Sequence, residues 1–264
     1  MRAFEPKELS WLYLNLAART DRREKIEAEF ARHGITPIRF DAFTTETWDD
    51  DEAKVAYMRQ RTPGAVGCTK THMAAIRSAQ DYERGVVICE DDAYFCSDIF
   101  ARLEYIAERL TWDWDIFYLG STCHIPSEWY AREDCRDWKH LGCDVSPTSD
   151  PRIVTAQGVW GTYAYLVNPK NAERTYQIMD RNMHRTRGID HMAIVLGPLL
   201  RTFCFLPGCA WQHDGVSDIR PGGFVTRFSS FKSLGPYVWA DNMNDFDPSK
   251  FNLQTGEYNG IQRS

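Results

Sequence analysis

The chain has 264 residues, 43% of them apolar and 26% charged, with a formal net charge of -6. That length and apolar share suit one α/β domain with a filled core, and a modest acidic excess without a long basic block argues against a surface that tracks a nucleic-acid backbone. The eight cysteines form no CxxC pair, so reduced thiols are expected rather than a disulfide framework or a structural zinc site. The opening residues MRAFEPKELS lack the apolar run of a signal peptide, and no stretch approaches the roughly 18 apolar residues of a membrane span. A soluble cytoplasmic protein without a transmembrane segment is expected.

Taken in order, Trp11-Leu12-Tyr13-Leu14-Asn15-Leu16 reads as a buried strand, and residues 21–33 as a helix with Ile26 and Phe30 one turn apart. Gly34 stops that helix, and Pro37-Ile38-Arg39-Phe40 leads to Asp41 as a second strand, which implies a parallel pair. Residues 44–62 read as an irregular excursion ending in a tight glycine turn at Pro63-Gly64-Ala65-Val66-Gly67, before a helix over about 68–82. Gly85 opens the buried strand Val86-Val87-Ile88-Cys89, which the acidic triplet Glu90-Asp91-Asp92 follows directly.

Ser97 is a potential cap for a helix whose Ile99, Phe100, Leu103, Ile106, Ala107 and Leu110 share one face. Residues 115–120 read as a strand, 121–152 as a long polar loop and 160–167 as a further strand. Asn168-Pro169 is a cap followed by proline at a first helical position; a helix over 189–196 and a strand over 201–206 come next. Strands alternating with helices predict an α/β fold with a mostly parallel sheet flanked by helices, whose ligands lie beyond the carboxyl ends of the strands.

The triplet occupies such an end. If strand geometry continues, Glu90 and Asp92 face the same side and can share one hard divalent cation, Mn²⁺ or Mg²⁺, with Asp91 pointing elsewhere. The first strand-to-helix turn carries Arg19, Arg22 and Arg23, a setting in which guanidinium groups and helix-terminal amides meet phosphate. His72, within a helix, reads by itself as a hydrogen-bonded structural group.

Four segments together resemble glycosyltransferase family 25, which includes bacterial lipooligosaccharide and collagen-hydroxylysine galactosyltransferases. They are Tyr13-Leu14-Asn15-Leu16 with Asp21-Arg22-Arg23, then Gly67-Cys68-Thr69-Lys70-Thr71-His72, then Val87-Ile88-Cys89-Glu90-Asp91-Asp92, and Gly161-Thr162-Tyr163-Ala164-Tyr165. A looser likeness runs through Ile189-Asp190 to Gln212 and Ser217-Asp218-Ile219. Thr71 stands where that family usually has serine, and Asp41-Ala42-Phe43 lacks the glycine that commonly follows.

The resemblance implies a GT-A type fold in a single domain, with a donor half over about 1–120 and an acceptor half over about 121–264. It implies transfer of galactose or glucose from a UDP-sugar to a hydroxyl acceptor such as a glycan, with inversion. Donor contacts then fall to Asn15, Arg19, Arg22 and Arg23, to Asp41 and Ala42, to Gly67 and His72, and to Asp91. Glu90 and Asp92 hold the metal, and His213 is positioned in the sequence to return to it. Asp190, at a helix start after Gly188, reads either as the catalytic base or as a helix cap. Rival readings are a phosphohydrolase or nucleotidyltransferase, sugar transfer to a modified nucleic-acid base, and a glycan-binding module built on aromatic surfaces.

Overall fold

The computed structural model describes residues 2–44, 63–111, 113–122, 145–156, 158–183, 186, 188–216, 218, 225–226, 240–253 and 258–260. The chain begins with β1 (Ser10–Asn15), α1 (Thr20–Arg32) and β2 (Ile38–Asp41). As the strand-helix-strand pattern requires, β1 and β2 are parallel neighbours. On its other side β1 pairs in parallel with β3 (Val86–Glu90), in a register that sets Leu14 opposite Glu90 and brings Asn15 beside the acidic triplet.

The remaining strands of the main sheet are β5 (Ile116–Thr122), β6 (Val145–Pro147), β7 (Ile153–Ala156), β8 (Trp160–Val167) and β9 (Thr202–Phe205), in the order β2-β1-β3-β8-β5-β9-β7-β6. The expectation of a mostly parallel sheet needs correction. Three of the seven pairings are parallel; β8 runs antiparallel to both β3 and β5, and β7 is antiparallel to β6 and β9. β7 and β8 thus point the same way, opposite to β5 and β9, although they are not neighbours in the sheet.

Alternation along the strands sorts the core into two layers. Leu12, Leu14, Val86, Ile88 and Tyr165 face α2 (Pro63–Ser78), α4 (Ala172–Asn182) and α5 (Ile189–Leu196), which contribute Met73, Ile76, Met179 and Met192. Trp11, Tyr13, Val87, Cys89 and Leu166 face α1 and α3 (Ile99–Arg109), which contribute Ile26, Phe30, Ile99, Leu103 and Ile106. Complete burial of such side chains stabilises the fold by about 1.5–3 kcal/mol each. It also fixes the β3 register that holds the triplet at the edge of the core.

Several local expectations change. The predicted glycine turn at 63–67 is the first part of α2. Gly67 is required for close approach rather than for a turn: a Cβ there would stand 2.5 Å from the Phe43 carbonyl oxygen. The cap position of α3 is Asp98, not Ser97, whose backbone N–H instead donates to Asp241. Asn168 does cap, accepting from the Lys170 amide ahead of α4. The 44–62 excursion falls, beyond Thr44, outside the described residues, as does most of the 121–152 loop.

Directly after the triplet the chain forms β4 (Ala93–Phe95), which pairs antiparallel with β10 (Ala210–Gln212). Strands of three residues are too short to show a period, and so carry little sequence signal. Their junction with the main sheet is close, since a Cβ on Gly120 of β5 would meet the Ala210 carbonyl oxygen at 2.7 Å. Glycine at 120 is what lets β10 cross the sheet and carry Gln212 to the end of β3.

Candidate functional site

Strand geometry ends at Glu90, and Asp91 and Asp92 form a turn into β4. Glu90 and Asp92 nonetheless converge, because the Gln212 side-chain amide donates to Glu90 Oε2 at 2.7 Å and to Asp92 Oδ1 at 3.1 Å. Asp91 turns away to accept from Asn15 Nδ2 at 2.7 Å and from Arg22 Nη1 at 2.8 Å. Arg39 in turn donates to Asn15 Oδ1 at 3.1 Å, so the β1–β3 edge is held by an arginine-asparagine-aspartate chain.

Thr162 of β8 reaches the same place. Its hydroxyl lies 3.1 Å from Glu90 Oε1 and 3.4 Å from Asp190 Oδ1. Asp190 sits in the first turn of α5, whose cap position is taken by Gly188, so the cap reading of Asp190 fails on position. Three carboxylates from two separate parts of the chain thus meet through one hydroxyl and one amide.

Their electrostatics are unfavourable in isolation. Burial, then the charges of Asp92 and Asp190, push Glu90 well above the ordinary carboxylate range. Burial pushes Asp92 up to about 6, and Arg22, 3.2 Å from Asp92 Oδ2, offsets only part of that rise.

Of the three arginines, Arg22 is the one directed into this cluster, and it also donates to the Val216 carbonyl at 2.6 Å. Arg19 pairs with Asp21 and Asp218, and Arg23 with Glu27, all on the surface. Asp41 pairs with Arg39 at 2.6 Å, while the Ala42 amide donates to the Asn15 carbonyl at 3.0 Å.

His72 lies in the core behind Glu90. It shares a 2.8 Å hydrogen bond with the Tyr165 hydroxyl, and burial depresses its pKa to about 3, so it is neutral and its 3.7 Å approach to Glu90 is not an ion pair. His213 is brought next to the triplet by its backbone, which donates to the Asp92 carbonyl at 2.8 Å, while its ring lies against Tyr94 with centroids 4.6 Å apart.

Among the described residues no group of three His, Cys, Asp or Glu side chains is arranged to hold a metal. Glu90 and Asp92 form a pair, and the pair fits a hard divalent cation. Both carboxyl groups are half-buried with raised pKa values, and hard divalent ions take such oxygen ligands while leaving positions for substrate phosphates.

Sequence reasoning assigned no role to Thr162 or Gln212. Both lie in segments that carry the family resemblance, Thr162 within Gly161-Thr162-Tyr163-Ala164-Tyr165 and Gln212 in the looser likeness, but neither has an assignable role without knowledge of which strands meet.

Residues 10–187, more than half of the chain, match the family model described as Glycosyltransferase family 25 (LPS biosynthesis protein). No curated protein matches. Among solved structures the chain is similar to the crystal structure of a glycosyltransferase involved in the glycosylation of the major capsid of PBCV-1. That similarity has 12% identity and a TM-score of 0.39 over 75% of this chain and 82% of that one, too distant to bear on the site. The family match includes the triplet and Thr162 and ends before Asp190 and Gln212. Among the described residues no helix is long and apolar enough to cross a membrane.

Proposed function

The chain belongs to glycosyltransferase family 25 and is a glycosyltransferase, and from that premise we propose that it transfers galactose or glucose from a UDP-sugar to a glycan hydroxyl. In this reading the fold is of GT-A type, the reaction inverts the anomeric carbon, and the protein works in the cytoplasm. The observation that carries the reading is the meeting of Glu90, Asp92 and Asp190 beyond the carboxyl end of β3, joined by Thr162 and Gln212.

Glu90 and Asp92 would hold Mn²⁺ or Mg²⁺. When bound, that ion neutralises charge developing on the leaving diphosphate. Arg22, already beside Asp92, supplies a second positive group on the donor side. Asp190 takes the proton of the acceptor hydroxyl as its oxygen bonds to the anomeric carbon and the bond to the diphosphate breaks. Thr162 sets the distance between the carboxylates by holding one oxygen of each within its reach.

The test is nucleotide release from a panel of UDP-, GDP- and TDP-sugars with and without chelator. Release of UDP that requires Mn²⁺ or Mg²⁺ is expected. Undiminished turnover in excess chelator would overturn metal dependence, and release of pyrophosphate would favour a nucleotidyltransferase.

A further inference from the structure

Gln212 leaves 6% of its surface to solvent, and its amide nitrogen stands between the two carboxylates, 2.7 Å from Glu90 Oε2 and 3.1 Å from Asp92 Oδ1. A primary amide carries two protons, so this one group satisfies an oxygen of each. The other two oxygens are also engaged, Glu90 Oε1 by Thr162 and Asp92 Oδ2 by Arg22. A cation entering between the carboxylates therefore has to replace the amide protons, which point at the position it would take.

We infer that Gln212 is the third oxygen ligand of the cation site, presented by a half-turn of its carboxamide. The inference rests on the metal-dependent reading above. An amide bears its nitrogen and its oxygen on arms of nearly equal length, and the last torsion of glutamine is broad and two-fold, so the half-turn requires no backbone movement. With the N–H groups inward the amide bridges two anions; with the carbonyl inward it adds a neutral oxygen to them, the donor type that hard divalent ions accept.

The backbone holds Gln212 in place for either state. It pairs with Ala93 across β10 and β4, one residue beyond Asp92, and the contact between Gly120 and Ala210 fixes the depth of β10 against the sheet. Gln212 is thus not a long side chain that swings clear when the site fills.

The alternative is that the amide only fills the space and is expelled on loading, and the two differ in sign. Removing a filler tightens cation binding; removing a ligand weakens it. Mn²⁺ binding to the donor-free protein, read by electron paramagnetic resonance of the free ion, separates them in wild type, Gln212→Met and Gln212→Glu. Methionine keeps the length and removes both the donor and the hard oxygen, so binding should weaken at least about tenfold. Glutamate keeps an oxygen and should bind Mn²⁺ at least as tightly as wild type.

Equal or tighter binding by Gln212→Met, or weakened binding by Gln212→Glu, would overturn the inference. If Gln212→Met does not fold, by far-ultraviolet circular dichroism, the glutamate variant decides alone. Wild-type protein that binds no Mn²⁺ would overturn the metal-dependent reading itself, an outcome distinct from a change of sign in the variants.

Discussion

Asp115 is a buried carboxylate and Asp92 a half-buried one, both next to arginine, and they stand at opposite ends of the sheet. Asp115 immediately precedes β5, while Asp92 follows β3, and the two strands run the same way because β8 is antiparallel to each. At Asp115 burial would raise the pKa, yet hydrogen bonds from Arg201 and Arg174 overcome it and hold the group below the ordinary range. At Asp92 burial wins over Arg22, and the group stands at about 6. The protein meets the charge of Asp115 in full, whereas at Glu90 and Asp92 the contacts from Gln212, Thr162 and Arg22 do not overcome burial. On the proposed function, that contrast separates a carboxylate that supports the fold from a pair that serves a ligand.

The sharpest way to break the contrast is to neutralise one acid of each kind. Asp190→Asn removes basicity with little change in shape, so turnover should fall by on the order of 10²- to 10⁴-fold while donor affinity holds. Steady-state transfer assays check this, and near-normal turnover by the folded variant would move the base elsewhere. Asp115→Ala should leave the chemistry nearly untouched and cost about 1.5–3 kcal/mol of stability in urea unfolding, because the Arg201 amide and the guanidinium groups of Arg174 and Arg201 lose a charged acceptor. Loss of turnover without loss of stability in Asp115→Ala would erase the distinction between the two ends.

Much of this arrangement was legible in the sequence, and the part that was not has a physical reason. Runs such as Val86-Val87-Ile88-Cys89 and the face of Ile99, Leu103 and Ile106 carry their period in contiguous residues, and the structure places those elements within a residue or two of expectation. The family was legible because its motifs are local. Gly64 and Gly67 misled, since a glycine needed for close packing inside a helix has the same appearance in sequence as one needed for a turn.

Within the site, the triplet and Asp190 could be picked out singly, but their convergence depends on Thr162 and Gln212. Those two act only because β8 inserts antiparallel beside β3 and β10 crosses at Gly120. Pairing between strands more than 70 residues apart in sequence, as for Thr162 and Glu90 with a separation of 72, leaves no local period to read.

The smallest expected effect is also the most direct test that the charge at the end of β3 is left for a cation. A carboxylate raised from 3.8 to about 6 on folding binds more protons folded than unfolded. Stability therefore falls as pH rises through that window and stays lower above it, the reverse of Asp115, whose stabilisation is present above its ordinary value and lost on acidification. A shift of this size corresponds to about 3 kcal/mol at most. The measurement is unfolding free energy at about pH 5 and about pH 7, in chelator and in Mn²⁺, for wild type and the Glu90→Gln, Asp92→Asn double variant. In chelator, wild type should lose stability relative to the double variant between the two pH values, and Mn²⁺ should abolish that loss in wild type alone. Equal pH dependence in the two proteins, or a wild-type loss that Mn²⁺ leaves unchanged, would contradict it.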